Sequence, residues 1–442
     1  MGSSRLKGKR GGSLETIEME EGRCILVKGP AGVEVQEGEL SVLGKKLRAK
    51  EHLVIPKGKA VPMRASVKSV LRVLAGGIKQ IKNDVPQQWW DAIDALERSE
   101  KPVVAPIVGG TDTGKTTMTT FLGNTLLKKK VKVAVVDADV GQSDIGPPCS
   151  IAMGVLNRPV TSISELEVED AYFVGATTPS AYPHRVVAGV KLMVERALSL
   201  GSEIVLVDTP GWVLGRRARE LNITLIYALQ PSIVIALQEG EEAEGILRTF
   251  THSKIRVLRL PAIEAYKRDR ETRKFLRERA YRQHLSGGKL VTLDANKVSL
   301  AYTTLFSGEP LTPEAIKNIS KTLNLDFTYI EVAADVVNVI LPEGEKACRE
   351  YIEVLKGAFS GREIHLMREK AFENLLVSFL DEKNRYLGIG VLKKIDYNSR
   401  KITVYTPVSP SQISAVLFGS VKVVENGEEI GTVHYRQKRQ IT

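Results

Sequence analysis

Gly109-Gly110-Thr111-Asp112-Thr113-Gly114-Lys115-Thr116 fits the spacing G-x-x-x-x-G-K-[ST] and stands between two runs of different period. Upstream, Val103 to Val108 is short, apolar and rich in β-branched residues. Downstream, Thr117 to Leu127 carries Met118, Phe121, Leu122 and Leu126 at helical spacing. Strand, glycine loop, helix is the order that cradling a triphosphate needs. Glycines let backbone N–H groups wrap phosphate oxygens, and the start of the following helix adds unpaired N–H groups and a partial positive charge. The spacing predicts that Gly109, Gly110, Thr111, Asp112, Thr113, Gly114, Lys115, Thr116 and Thr117 hold ATP or another nucleoside triphosphate. Lys115 would reach the β- and γ-phosphates, and the Thr116 hydroxyl would ligate Mg²⁺.

Outward from this loop the pattern divides the chain into regions. From Leu14 to Leu74, short apolar runs are separated every eight to twelve residues by Gly, Pro and charged turns, the signature of a small β-sandwich or barrel. Pro86 and a helical stretch from Trp89 to Leu96 lead into the second region. There, up to about Phe306, β-branched runs alternate with helical ones, which predicts a parallel sheet covered on both faces. From Leu311 onward one or two helices precede short alternating runs at Gly390 to Ile395, Lys401 to Pro407 and Ser420 to Val424. The expected fold class is α/β: a P-loop NTPase parallel sheet with helices on both faces, flanked by N-terminal and C-terminal β-rich domains. The expected boundaries are a tail over 1–13, a β domain over 14–85, a P-loop domain with an arginine-rich lid over 86–310 and a β-rich domain over 311–442.

A chain of 442 residues with 43% apolar and 26% charged residues reads as soluble and multidomain, and its net charge of +11 favours polyanionic partners. Cys24, Cys149 and Cys348 lie far apart with no C-x-x-C spacing, so they predict neither a disulfide framework nor a metal site. They point to a reducing, cytoplasmic compartment. No apolar run approaches a membrane span, and the basic, glycine-rich Met1 to Gly12 lacks the apolar segment of a secretory signal. The six histidines show no metal-ligand spacing.

The second strand of the central region ends in Asp137-Ala138-Asp139-Val140-Gly141-Gln142, placing two carboxylates on the edge of the sheet where ligands bind. One can hold a metal-bound water while the other accepts a proton. Another strand ends in Asp208-Thr209-Pro210-Gly211-Trp212, which by itself suggests a nucleotide switch. Against a guanine-binding switch, the nearest match to an Asn-Lys-x-Asp element, Asn296-Lys297-Val298-Ser299, lacks the aspartate. The second lysine of the dimeric switch ATPases is replaced by Gly110. Trp212 suits stacking a base or walling off water. Lys267 to Arg282 carries eight basic residues against three acidic ones with no Gly or Pro, and Ser286-Gly287-Gly288 ends it. Beside a phosphoryl-transfer site, such a basic helix predicts arginines that neutralise the transferring group.

These motifs in this order, together with Phe173-Val174-Gly175-Ala176-Thr177-Thr178-Pro179-Ser180, resemble the Clp1/Grc3 polynucleotide 5′-hydroxyl kinases, and most of all their archaeal members. The flanking β-rich modules resemble that family's three-part layout. The resemblance implies Mg²⁺-dependent transfer of the γ-phosphate of ATP or another NTP to RNA 5′-hydroxyl ends, with single-stranded DNA as a further acceptor. It also implies a role in RNA processing or repair with processing partners. Carried over by position, Lys115 and Thr116 hold the triphosphate and Mg²⁺, and Asp139 is the base that orients the attacking hydroxyl. Asp137 and Gln142 sit near the metal. Thr209, Gly211 and Trp212 form a clasp on the terminal nucleotide, with Thr177, Thr178 and Pro179 on the same substrate, and Arg277 and Arg282 are the paired lid arginines. At i and i+5 on a straight helix that pair diverges by about 140°, so the two would divide their work. A switch NTPase and a nucleotide-binding scaffold of an RNA-processing complex are the alternatives.

Overall fold

The apolar runs of the N-terminal region lie on strands, and the runs at Cys24 to Val27 and Val33 to Val35 belong to one long strand. The computed structural model describes residues 13–263, 268–345 and 349–433. The basic stretch Met1 to Gly12, Lys267 and Cys348 lie outside the described residues. Strands β1 (Ser13–Met19), β2 (Cys24–Glu37), β3 (Glu39–Val42), β4 (Lys45–Arg48), β5 (His52–Ile55), β6 (Ala60–Ala65) and β7 (Ser69–Ile81) form an antiparallel sheet in the order β1-β7-β2-β6-β3-β4, with β5 also on β2. Strand β2 changes partner midway: Cys24 to Lys28 pair with β6, and Ala31 to Glu34 pair with β5. The change falls at a register shift between Lys28 and Ala31. Pro30 has no N–H to give the ladder there, and a Cβ on Gly29 would meet the Pro56 carbonyl oxygen at 2.1 Å. Ile25, Val27, Val33, Val35, Leu71 and Val73 fill the enclosed side.

The central region runs α1 (Trp89–Arg98), β8 (Val103–Gly109), α2 (Lys115–Lys128), β9 (Val133–Asp137), β10 (Ser150–Val155), β11 (Asp170–Phe173), α3 (Pro183–Ser199), β12 (Ile204–Asp208), α4 (Arg216–Leu229), β13 (Ile233–Gln238), α5 (Glu244–Leu247), β14 (Arg256–Pro261) and α6 (Arg270–His284). Its sheet has the order β11-β10-β9-β12-β8-β13-β14. Strands β9, β12, β8, β13 and β14 are parallel, and β9 and β12 are buried at every position, as a sheet covered on both faces requires. Helices α3 and α4 cover one face through Val186, Val190, Leu221 and Leu225, which pack on Val136, Val205 and Val207. Helix α2 packs against β8, β9 and β12.

Strand β10 departs from the expected all-parallel sheet, running antiparallel to β9 and to β11. No crossover helix separates β9 from β10, and a strand cannot return parallel without one.

The N-terminal sheet is tied to the central region through Asn124 of α2. Its buried Nδ2 donates to the Leu43 carbonyl at 2.8 Å and to the Val160 carbonyl at 2.7 Å, while its Oδ1 accepts from the Val160 N–H at 2.8 Å.

The chain folds into two units, Met1–Val174 with Thr178–Arg277, and Gly175–Thr177 with Glu278–Thr442. The second unit contains β15 (Lys289–Asp294), β16 (Ser299–Ala301), β17 (Glu309–Pro310), α7 (Pro313–Leu323), β18 (Tyr329–Val332), β19 (Val336–Leu341), α8 (Arg349–Ala358), β20 (Glu363–Arg368), β21 (Leu375–Leu380), β22 (Tyr386–Asp396), β23 (Lys401–Thr406), β24 (Ala415–Val423) and β25 (Glu429–Thr432). One sheet has the order β15-β23-β22-β21-β24-β16 with β25 on β24, and a four-stranded sheet has the order β17-β18-β19-β20. The sequence pattern groups β15 and β16 with the central region, yet they pair with β23 and β24. Strand β15 runs antiparallel to β23 and β16 runs parallel to β24, and their partly exposed positions differ from the fully buried strands of the central sheet. Among the described residues no helix is long and apolar enough to cross a membrane.

Candidate functional site

The loop after β8 is shaped by residues that tolerate left-handed backbone and close approach. Asp112 has φ +59° and Gly114, which caps α2, has φ +93°. A Cβ on Gly109 would lie 2.5 Å from the Leu237 carbonyl oxygen. Thr113 Oγ1 donates to the Gly110 carbonyl at 2.9 Å and closes the turn. Lys115 is 8% exposed, and its Nζ donates to the Gly110 carbonyl at 2.7 Å. Burial lowers its proton affinity, and the charges of Asp208, Asp139 and Asp112 oppose that shift. A buried ammonium within reach of loop carbonyls is poised to exchange them for phosphate oxygens.

The parallel register places Asp208 at the end of β12 directly beside Asp137 at the end of β9. Thr116 Oγ1 donates to Asp208 Oδ2 at 2.7 Å. Asp208 is 3% exposed, and burial pushes its pKa up to about 6; Asp139 and Asp144 add to the rise, while Lys115 and the Thr116 hydroxyl restrain it. Asp137, expected near a metal, is occupied otherwise. Its Oδ1 accepts from the Asp139 N–H at 3.1 Å, and its Oδ2 accepts from Ser143 Oγ at 3.1 Å and from the N–H groups of Asp144 at 2.5 Å and Ile145 at 3.1 Å. Burial, then Asp208, Asp144 and Asp139, push its carboxyl well above the usual range. Asp137 shapes the loop, and the carboxylate beside Thr116 is Asp208.

Asp139 Oδ1 accepts from the N–H groups of Gly141 at 3.0 Å and Gln142 at 3.1 Å, fixing the turn that points Gln142 inward. Gln142 Nε2 donates to the Arg273 carbonyl at 3.1 Å, and its Oε1 is a buried acceptor with no hydrogen-bond partner. That oxygen, the Thr116 hydroxyl and the Asp208 carboxylate form a hard-oxygen set suited to Mg²⁺. Among the described residues no three His, Cys, Asp or Glu side chains form a metal cage. Mg²⁺ takes one or two carboxylates with phosphates and water, so the donor set fits it.

Two walls of this cleft were not legible as such. The turn after β5 contributes Lys59, whose Nζ pairs with Asp144 and donates to Ser162 Oγ at 3.3 Å. The lid contributes Arg268 and Arg273. Arg273 Nη2 lies 2.7 Å from Asp112 Oδ2, and Arg268 donates its backbone N–H to the same oxygen at 3.2 Å. Both line the cleft with Lys115, Asp139 and Asp208.

Arg277 and Arg282, the expected pair, are not among the residues that line this cleft. Arg277 lies half-buried along α6. Arg282 belongs to the second unit, where its Nε donates to the Asn426 carbonyl at 2.8 Å. Arg268 and Arg273 share the i, i+5 spacing, but Arg268 precedes the first residue of α6, so the divergence of a straight helix does not apply to them. Residue type alone cannot choose among eight basic side chains in one segment. Contacts across the cleft bring Arg268 and Arg273 to the phosphate loop.

Of the expected substrate residues, Thr209 is 1% exposed and donates its hydroxyl to the Ile107 carbonyl at 2.8 Å, pinning the loop after β12 to β8. Gly211 abuts the phosphate loop: its carbonyl accepts from Thr111 Oγ1 at 3.2 Å, and a Cβ there would lie 2.9 Å from Thr111 Cα. Trp212 is half-buried against the α3–α4 core, with its carbonyl held by Asn222 Nδ2 at 2.9 Å. Thr178 Oγ1 lies 2.9 Å from Ser180 Oγ and Pro179 is half-buried, both in the first unit, whereas Thr177 groups with the second.

Residues 109–287 match the family described as the mRNA cleavage and polyadenylation factor CLP1 P-loop. The polyribonucleotide 5′-hydroxyl-kinase of Methanocaldococcus jannaschii is 32% identical over 361 residues, 79% of this chain and 94% of that relative. The polyribonucleotide 5′-hydroxyl-kinase of Thermococcus kodakarensis is 34% identical over 350 residues, 79% of this chain and 96% of the relative. A chain from a wild-type Clp1p–Pcf11p complex shares the fold with a TM-score of 0.64 at 14% identity, covering 93% of this chain and 99% of its own length. The identity to the two archaeal proteins extends over nearly their whole length, and the chain belongs to the polyribonucleotide 5′-hydroxyl-kinase family with a Clp1-type P-loop.

Proposed function

We propose that this chain transfers the γ-phosphoryl group of ATP, or of another nucleoside triphosphate, to the 5′-hydroxyl of RNA, with single-stranded DNA as a further acceptor. The observation that carries this reading is the convergence in one cleft of the phosphate loop, buried Lys115, the Asp139 carboxylate and two lid arginines. Lys115 binds the β- and γ-phosphates, and the Thr116 hydroxyl, Asp208 and Gln142 Oε1 would hold Mg²⁺. The ion, when bound, neutralises charge on the phosphates. Asp139 orients the attacking hydroxyl and takes its proton as the oxygen–phosphorus bond forms. The bond from the γ-phosphorus to the bridging oxygen breaks, and the nucleoside diphosphate leaves with the electron pair. Arg268 and Arg273 neutralise charge spread over the transferring group.

Gly211 and Trp212 form the clasp on the terminal nucleotide, and Thr209 acts through its hold on the Ile107 carbonyl. Trp212→Ala is expected to raise the KM for RNA about tenfold or more, the order lost when a stacking aromatic is removed, with the KM for ATP changed less than twofold. Steady-state kinetics with each substrate varied in turn checks this, and a loss confined to ATP would remove Trp212 from the clasp. The buried thiols of Cys24 and Cys149 suit a reducing, cytoplasmic setting, and the net positive charge suits an RNA-processing partner assembly.

A further inference from the structure

Asp112 is a carboxylate in the middle of a loop built for a polyanion. The backbone N–H groups and Lys115 attract a triphosphate, and a negative side chain among them works against that attraction. The left-handed backbone at φ +59° does not require the charge, since Gly or Asn satisfies the same turn. What the charge does is visible across the cleft. Asp112 is 14% exposed at its side chain; its Oδ2 accepts from Arg273 Nη2 at 2.7 Å and from the Arg268 N–H at 3.2 Å, and its Oδ1 lies 3.9 Å from Arg268 Nε.

The contacts continue beyond this pair. Arg273 Nε donates to the Arg268 carbonyl at 3.2 Å, Gln142 Nε2 donates to the Arg273 carbonyl at 3.1 Å, and the Gln142 N–H donates to Asp139 Oδ1 at 3.1 Å. One chain of hydrogen bonds therefore joins the phosphate loop, the lid and the proposed base. It leaves donors over: of the five N–H groups of Arg273, the bonds above use two, and Arg268 Nε is buried without a hydrogen-bond partner. Unused guanidinium donors at the mouth of a phosphate loop are what a transferring phosphoryl group would engage.

We propose that Asp112 is a positioning residue that draws Arg268 and Arg273 onto the phosphate loop and aims their remaining donors at the transferring phosphoryl group. This rests on the kinase reading above. Two guanidinium groups outweigh one carboxylate, so the assembled corner attracts the triphosphate even though Asp112 alone would repel it. The contribution belongs to the transition state, where charge on the γ-phosphoryl oxygens is redistributed, and so to kcat.

The test is a set of variants assayed for transfer from γ-labelled ATP to a 5′-hydroxyl oligoribonucleotide, with kcat and both KM values measured. Asp112→Asn keeps the size and the turn but loses the charge, and its kcat falls by about 10- to 100-fold while its KM for ATP stays level or drops. Asp112→Glu recovers part of the loss. Arg273→Ala is at least as slow as Asp112→Asn, and the double variant is no slower than Arg273→Ala within about twofold, because both remove one device. Wild-type kcat in Asp112→Asn, a loss carried in the KM for ATP, or losses that multiply in the double variant would each overturn the assignment. Wild-type protein that moves no label to RNA overturns the kinase reading and this assignment with it, whereas wild-type transfer with an indifferent Asp112→Asn overturns the assignment alone.

Discussion

Lys115→Ala lowers phosphoryl transfer by at least about a thousandfold and leaves RNA affinity within a few-fold of the parent protein. The side chain is buried at the start of α2 with Asp208, Asp139 and Asp112 as its opposing charges. Removing it takes a cation from the β- and γ-phosphates and also leaves those carboxylates facing the triphosphate uncompensated. The loss therefore exceeds that of one hydrogen-bond donor. In the proposed mechanism the RNA is held by the clasp rather than by Lys115, so a filter-binding titration of 5′-hydroxyl RNA should change little. Transfer within tenfold of wild type would mean that the triphosphate is not held by this loop.

Asp208→Asn stabilises the nucleotide-free protein above neutral pH while lowering transfer by about 100-fold or more. The Asp208 carboxyl, buried beside Asp137 and near Asp139 and Asp144, has its pKa raised from 3.8 to about 6. The folded protein thus holds this proton more tightly than the unfolded chain does. Its contribution to stability is fully present below about pH 4 and is lost as pH rises through about 6, a swing on the order of 3 kcal/mol at most. Asp137 shifts in the same direction. The neutral amide escapes this penalty, so the Tm of Asp208→Asn should exceed that of the parent at pH 8 by a few degrees and converge with it near pH 4. Asn offers Mg²⁺ a weaker oxygen, hence the lost activity. A lower Tm at pH 8, or retained transfer, would contradict the assignment of Asp208 as a strained metal-holding group.

The parts of this fold that depend on local period are legible in the sequence. Val103 to Val108, the glycine loop and the amphipathic run after it specify β8, the phosphate loop and α2 within a residue or two, because backbone preference and face periodicity act over single turns. Strand partnership is long-range and was less legible. Ser150 to Val155 looks like any buried strand, and only the missing crossover helix makes it antiparallel. Lys289 to Asp294 lies between central and C-terminal patterns, and its partner β23 is more than a hundred residues away.

The site divides in the same way. Lys115, Thr116, Asp139 and Gln142 sit in short motifs, and the structure brings them to one cleft. Lys59 and Asp144 carry no motif, since their meeting depends on the N-terminal sheet resting on the central one. The basic segment announced a lid, but eight like side chains in sixteen residues do not say which ones face the phosphates. The ion pairs and hydrogen bonds of Asp112 join Arg268 and Arg273 to the phosphate loop, which is why the proposed mechanism assigns them that role.

The most direct measurement follows the γ-phosphate of labelled ATP in the presence of a 5′-hydroxyl oligoribonucleotide and, in parallel, the same strand already phosphorylated at its 5′ end. Label appearing on the 5′-hydroxyl strand and absent from the phosphorylated one is the predicted result. Label released as free phosphate at the same rate with or without RNA would instead make the chain a switch NTPase, and label that stays on tightly held ATP would make it a nucleotide-binding scaffold; either outcome contradicts the kinase.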